Sequence, residues 1–188
     1  MTRDMNEDIE KVVFSEEELK KRIAELGKEI TEDYKDAEET IYCVGILKGA
    51  VVFYTDLVRS INLPVHFDFM IASSYGNGTE TSGTVKILKD LDYDVAGKHL
   101  IIIEDIIDSG TTMNYLMKYF RERKPKSVKL CALLSKPSRR TVDVNIDYCG
   151  YTVPDEFLVG YGLDYAEKYR NLPDIGVLDS RVYGAARE

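Results

Sequence analysis

The stretch IIIEDIIDSGTT, residues 101–112, decides how the chain is read. It sits at the end of KHLIIIED (98–105), the strongest buried-strand signal in the chain and the pattern of a strand buried on both faces. The strand ends on the acidic pair Glu104-Asp105. Ile106 and Ile107 pack next, and Asp108 precedes a small, hydroxyl-rich turn, Ser109-Gly110-Thr111-Thr112. That turn opens a helix over 109–123, with Met113, Leu116, Met117 and Phe120 on one face and Pro125 as its stop. In an open α/β sheet, ligands bind beyond the carboxyl ends of the strands. A glycine-containing turn at a helix start offers free amides and partial positive charge to a phosphate monoester. Paired carboxylates just upstream suit the vicinal hydroxyls of a ribose, or Mg²⁺. The string is neither a nucleotide P-loop nor a dinucleotide-binding glycine motif.

Working outward, Ser15 with Glu18 reads as a capping box. It starts a helix to about Tyr34 on Leu19, Ile23, Leu26 and Ile30. IYCVGIL (41–47) is a buried strand, 50–61 a helix, and 65–75 an alternating strand. A polar, glycine-rich loop (76–83) and a short strand (85–88) follow. Further strands are expected at 128–134, 144–151, 157–160 and 175–178. Strands alternating with helices predict an α/β, doubly wound, mostly parallel sheet in a single domain, 1–188. A small subdomain is expected from the N-terminal helix and the chain after about Val142.

The chain has 188 residues, 44% hydrophobic and 31% charged, ordinary values for a folded domain. With 25 basic and 33 acidic residues its net charge is −8, which argues against nucleic acid or an anionic membrane as partner. Cys43, Cys131 and Cys149 lack metal-ligand spacing and read as reduced core cysteines of a cytoplasmic protein. No targeting peptide or membrane-spanning run is evident. His66 and His99 attract no role.

At residues 101–112 the chain resembles the phosphoribosyl pyrophosphate signature of type I phosphoribosyltransferases. From about Ile9 to Ser180 it resembles the hypoxanthine (hypoxanthine-guanine) branch of that family. The resemblance rests on Leu47-Lys48-Gly49, Ser73-Ser74-Tyr75-Gly76, the signature, and a block from Lys136 to Arg170 containing FLVGYGLDY (157–165). It implies the family fold, with a small hood from the N- and C-terminal segments. It also implies purine salvage: phosphoribosyl pyrophosphate and a 6-oxopurine give a nucleoside monophosphate and pyrophosphate, with Mg²⁺.

The resemblance further implies a role for each residue. Asp108 manages the proton on the purine's imidazole ring. Glu104, Asp105, Ser109, Gly110, Thr111 and Thr112 hold ribose and its phosphate. Lys48, Gly49 and Arg170 hold pyrophosphate, with a peptide between Leu47 and Lys48 that is often cis in the family. Lys136, Phe157 and Leu158 hold the purine, Ser74 and Tyr75 begin a closing loop, and Glu104, Asp105 and Asp164 hold the metal. Read without the family, Lys48 is equally a turn lysine, Lys136 belongs to the charged run KPSRR, and Asp164 is a turn residue. Gly162 stands where alanine is common, so a looser turn is expected there. A homodimer or homotetramer is implied. The alternatives are a phosphoribosyltransferase for another base, such as xanthine, and a regulator sensing phosphoribosyl pyrophosphate on the same fold.

Overall fold

The computed structural model describes residues 4–74 and 85–184. Its strands and helices are, in chain order, β1 (Ile9–Phe14), α1 (Glu16–Tyr34), β2 (Ile41–Leu47), α2 (Val51–Ser60), β3 (Val65–Ser74), β4 (Val85–Lys89), β5 (His99–Ile107), α3 (Thr111–Glu122), β6 (Ser127–Ser135), β7 (Tyr148–Thr152), β8 (Leu158–Val159), β9 (Ile175–Leu178) and α4 (Ser180–Gly184). Short 3-10 turns lie at Met5–Asp8 and Pro137–Arg139. Tyr75 and the glycine-rich loop lie outside the described residues.

The main sheet runs β4-β3-β2-β5-β6-β7. All its pairings are parallel except β3 with β4. Alternate side chains of the buried strands serve two helix layers, as the two-residue period of a strand requires. Ile101 and Ile103 join Cys43, Cys131 and Leu133 under Leu19, Ile23, Leu26 and Ile30 of α1 and Phe53 and Leu57 of α2. Leu100 and Ile102 join Val44, Leu130 and Ala132 under Met113, Leu116, Met117 and Phe120 of α3. Covered on both faces, the strands read as near-continuous apolar runs, and the doubly wound expectation holds.

Strand order turns about β2. The chain leaves β2 for β3 on one side, then places β5 on the other. Crevices form at such a reversal, beyond the carboxyl ends of the flanking strands. Here those ends are Leu47 and Ile107.

A second, antiparallel sheet, β1-β9-β8, stands over that edge. It comes from the N- and C-terminal segments, but not as the periodicity suggested. Helix α1 spends its apolar face on the main sheet, and β7 completes that sheet. The N-terminal contribution to the hood is β1, which the sequence reading left unassigned. β7 also starts later than residue 144. The Asp147 carboxylate accepts the Leu130 N–H at 2.8 Å, and its own N–H donates to the Leu130 carbonyl at 2.9 Å, so pairing begins only at Tyr148. Among the described residues, no helix is long and apolar enough to cross a membrane. All three cysteines are free thiols.

Candidate active site

β5 continues two residues past Asp105, so Glu104 and Asp105 lie within the strand rather than at its end. After Ile107 the chain turns into α3 through Gly110, whose φ of 84° lies in the left-handed region. A side chain there would also meet the Val142 carbonyl at 2.5 Å. The turn is held from behind by the segment after β6. Arg140 donates from Nε to the Asp108 carbonyl at 3.1 Å, and from Nη2 to the Ile107 carbonyl at 3.2 Å and Ser135 Oγ at 3.0 Å. The N–H groups of Thr141 and Val142 donate to the Ser109 carbonyl at 3.0 and 3.1 Å. Gly110 supplies no side-chain cap, and Ser109 Oγ accepts only a long bond, 3.3 Å, from the Thr111 N–H. The amides of the first turn of α3 are therefore left for an anion.

Two clefts meet at this turn. One, of about 370 Å³, is lined by Leu47, Gly49, Ser73, Glu104, Asp105 and the turn residues Asp108, Ser109, Gly110 and Thr112. Thr111 is not among its lining residues. The other, of about 300 Å³, is lined by Lys136, Arg139, Phe157, Leu158, Leu163 and Asp164. Asp105, Ile106 and Asp108 border both.

The two neighbouring carboxylates are not equivalent. Glu104 borders only the first cleft, and its Oε2 is buried with no hydrogen-bond partner. Burial, and then the charge of Asp105, push its carboxyl well above the usual range. Burial also raises Asp105, to about 6, although the Ile106 N–H and Arg170 favour its charged form. A carboxylate so placed calls for a cation or a hydroxyl donor.

The turn after β2 has a cis peptide between Leu47 and Lys48. At Gly49 a Cβ would lie 1.7 Å from Asp105 Oδ2, so only glycine lets this turn approach the acidic strand. Gly162 approaches from the hood side with a φ of 101°, and a Cβ there would lie 2.2 Å from the Gly49 carbonyl. This corrects the expectation of a loosened turn: the missing side chain is what lets two turns pack tightly. Arg170 ties the arrangement together. Its Nη1 donates to the Gly162 carbonyl at 2.8 Å, its Nη2 pairs with Asp164 Oδ1 at 2.8 Å, and its buried Nε is left without a partner. Lys48 Nζ reaches Glu167 Oε2 at 3.0 Å, and the Glu167 N–H donates to Asp164 Oδ2 at 2.8 Å.

The structure thus brings Gly49, Asp164 and Arg170 to Asp105, whereas the Lys48 side chain lines neither cleft and turns to Glu167. It does not gather Glu104, Asp105 and Asp164 into a closed metal cage. Among the described residues, no three acidic, histidine or cysteine side chains form a metal-binding group, and both Asp164 oxygens are engaged, by Arg170 and the Glu167 amide.

On the other side of Asp108, Lys136 is 7% exposed, which removes it from the solvated run KPSRR. Its Nζ donates to the Glu156 carbonyl at 2.6 Å and lies 3.8 Å from Asp155 Oδ1. Leu158 is buried, and Phe157 is 38% exposed at the cleft. Ser74 ends β3, one residue beyond Ser73 of the first cleft, and Tyr75 falls outside the described residues. Sequence reading missed two members of the site. Arg139 Nε stands 3.1 Å from Asp108 Oδ1, within ion-pair range but without hydrogen-bond geometry. Glu167, at a φ of 63°, holds Lys48. Neither shows a sequence signal, since each is one charge within a charged stretch.

Residues 13–166 match the model of the phosphoribosyl transferase domain. The chain is 55% identical over 179 residues to the hypoxanthine-guanine phosphoribosyltransferase of Bacillus subtilis (strain 168), covering 95% of this chain and 98% of that one. It is 53% identical over 165 residues to the hypoxanthine phosphoribosyltransferase of Salmonella typhimurium, covering 88% and 93%. A crystal structure of a hypoxanthine phosphoribosyltransferase from Staphylococcus aureus superposes with a TM-score of 0.92 at 44% identity, covering 97% of this chain and 98% of that one. With the clefts at the strand reversal, the hood above them and these relatives, the chain belongs to the phosphoribosyl transferase family, among the hypoxanthine and hypoxanthine-guanine phosphoribosyltransferases.

Proposed function

We propose that the protein transfers the phosphoribosyl group of phosphoribosyl pyrophosphate to hypoxanthine or guanine, as a purine-salvage enzyme of the cytoplasm acting as a single domain. The observation that carries this reading is the pair of clefts sharing Asp105 and Asp108. One offers an anion cradle, the other a buried ammonium and an exposed aromatic ring. In the reaction the bond from the anomeric carbon to pyrophosphate breaks, and a bond to a purine imidazole nitrogen forms. The proton of that imidazole ring passes to the Asp108 carboxylate.

The turn Ser109-Gly110-Thr111-Thr112 binds the ribose phosphate with the first amides of α3. Glu104 and Asp105 orient the ribose hydroxyls, which supply the donors that Glu104 Oε2 lacks. The turn at Lys48-Gly49 and Arg170, whose buried Nε has no partner, hold the departing pyrophosphate. Lys136 donates to the 6-oxo group, Phe157 stacks on the base, and the Leu158 backbone reads its edge.

The donor set also fits Mg²⁺. Buried carboxylates at Glu104 and Asp105, with Asp164 nearby, are hard oxygen ligands. An incomplete cage suits an ion that shares substrate phosphates and keeps waters. When bound, Mg²⁺ neutralises charge developing on pyrophosphate. Incubating the protein with hypoxanthine, phosphoribosyl pyrophosphate and Mg²⁺ should release nucleoside monophosphate and pyrophosphate in equal amounts, and excess chelator should abolish both. Full turnover in chelator, or pyrophosphate release without nucleotide, contradicts the reading.

A further inference from the structure

Phe157 lines the base cleft, but two rings that do not line it fix its position. Tyr183 of α4 stacks on Phe157, with ring centroids 5.0 Å apart and planes at 22°. Tyr165 meets Phe157 edge-on at 5.6 Å and 86°, and meets Tyr183 at 6.4 Å and 64°. Each of the three rings therefore constrains the other two.

α4 is itself tied down. The Val182 N–H donates to the Asp179 carbonyl at 2.9 Å, and the Asp179 N–H donates to the Asp8 carbonyl at 2.8 Å. The Leu178 N–H donates to the Phe157 carbonyl at 2.8 Å. Val182, Tyr183 and Tyr165 pack on a small cluster of Val159, Tyr169, Leu172 and Leu178, separate from both helix layers. The last described helix thus folds back along the hood and lays one ring against Phe157.

We propose that Tyr183 is a positioning residue for the purine. It presets the plane of Phe157, with Tyr165 as the lateral stop, so that the base meets a ring already oriented. An exposed phenyl ring free to turn loses rotamer freedom when a base stacks on it. One held from behind has lost that freedom on folding, and the difference appears as base affinity. Tyr183 lines neither cleft, so its effect runs through Phe157 and is confined to the base. The inference rests on the reading that Phe157 stacks on the purine.

The test is steady-state kinetics of Tyr183→Ala, Tyr183→Phe, Phe157→Ala and the Phe157→Ala/Tyr183→Ala double variant, with KM measured separately for hypoxanthine and phosphoribosyl pyrophosphate. A stacked aromatic pair has a coupling corresponding to about two- to ten-fold in an equilibrium. Tyr183→Ala should raise the hypoxanthine KM by about that factor, leaving kcat and the KM for phosphoribosyl pyrophosphate unchanged. Tyr183→Phe should behave as the parent. Phe157→Ala should raise the hypoxanthine KM more, and adding Tyr183→Ala to it should change nothing further. If Phe157→Ala raises that KM but Tyr183→Ala does not, the positioning role is wrong while the base site stands. An unchanged hypoxanthine KM in Phe157→Ala removes the base-site reading and the inference with it. A rise in both KM values, or a fall in kcat, in Tyr183→Ala assigns α4 a general structural role and overturns the proposal. Should Tyr183→Ala fail to fold, Tyr183→Leu keeps apolar bulk without a flat ring and should show the same selective rise.

Discussion

Asp108 divides its work between two atoms. Its carbonyl is held by Arg140, and its carboxylate stands at the junction of the clefts, 3.1 Å from Arg139. Asp108→Asn keeps the shape and the backbone tie, so it should melt as the parent does while losing about 10²–10⁴-fold in turnover, the weight of a general acid–base group. Near-parental turnover with hypoxanthine would exclude this carboxylate from proton transfer. Lys136 makes the complementary case. An ammonium donates and cannot accept, so in the proposed site it pairs with a 6-oxo group and opposes the amino group of adenine. Lys136→Met should depress turnover of hypoxanthine and narrow its advantage over adenine, because the repulsive contact disappears. The Glu156 carbonyl loses its donor in that variant, so the base ratio is the proper readout rather than absolute activity. Single residues were legible where the motif carried them. Arg139, Glu167 and Tyr183 were not, because their partners Asp108, Lys48 and Phe157 lie far away along the chain or in a segment without periodicity.

Elements were legible where local chemistry sets their limits. The capping box at the start of α1 is present in full: Ser15 Oγ accepts the Glu18 N–H, and the Glu18 carboxylate accepts the Ser15 N–H at 2.8 Å. Ser15→Ala should cost about 1 kcal/mol of stability, read as a lower urea midpoint at constant m-value. Turnover at saturating substrate should not change, since α1 packs on the far side of the sheet from the turn Ser109–Thr112. An unchanged midpoint would mean that the cap is dispensable in this fold. Boundaries failed where a distant partner sets them. β5 runs on to Ile107 because β6 pairs with it as far as Ser135, and β7 waits for Tyr148 because Asp147 is spent on Leu130. β1, whose partner is β9 near the other end of the chain, carries too mixed a pattern to be seen alone.

At the scale of the molecule, the site exists because two sheets meet. The strand reversal at β2 and β5 supplies the turn Ser109–Thr112 and the acidic pair, and the chain around and between β8 and β9 of the hood supplies Phe157, Asp164 and Arg170. The doubly wound sheet was readable from the sequence because each buried strand is an apolar run between helices. The packing of hood against sheet was not, because it depends on contacts such as Gly162 on the Gly49 carbonyl, where an absent side chain is the signal. With a net charge of −8, the molecule's overall field does not favour an anion, so the proposed binding of anionic substrates rests on local amides and a few placed cations.

The central claim, that this junction joins a 6-oxopurine to a phosphoribosyl group, is tested most directly by a panel of bases assayed with phosphoribosyl pyrophosphate and Mg²⁺. Hypoxanthine and guanine should both be converted to their nucleoside monophosphates, within a modest factor of each other. Adenine should be rejected by about 10⁴–10⁵-fold, the discrimination available to a site built on a specific hydrogen bond. Conversion of adenine at a rate comparable to hypoxanthine, or no nucleotide from any 6-oxopurine, would contradict the account.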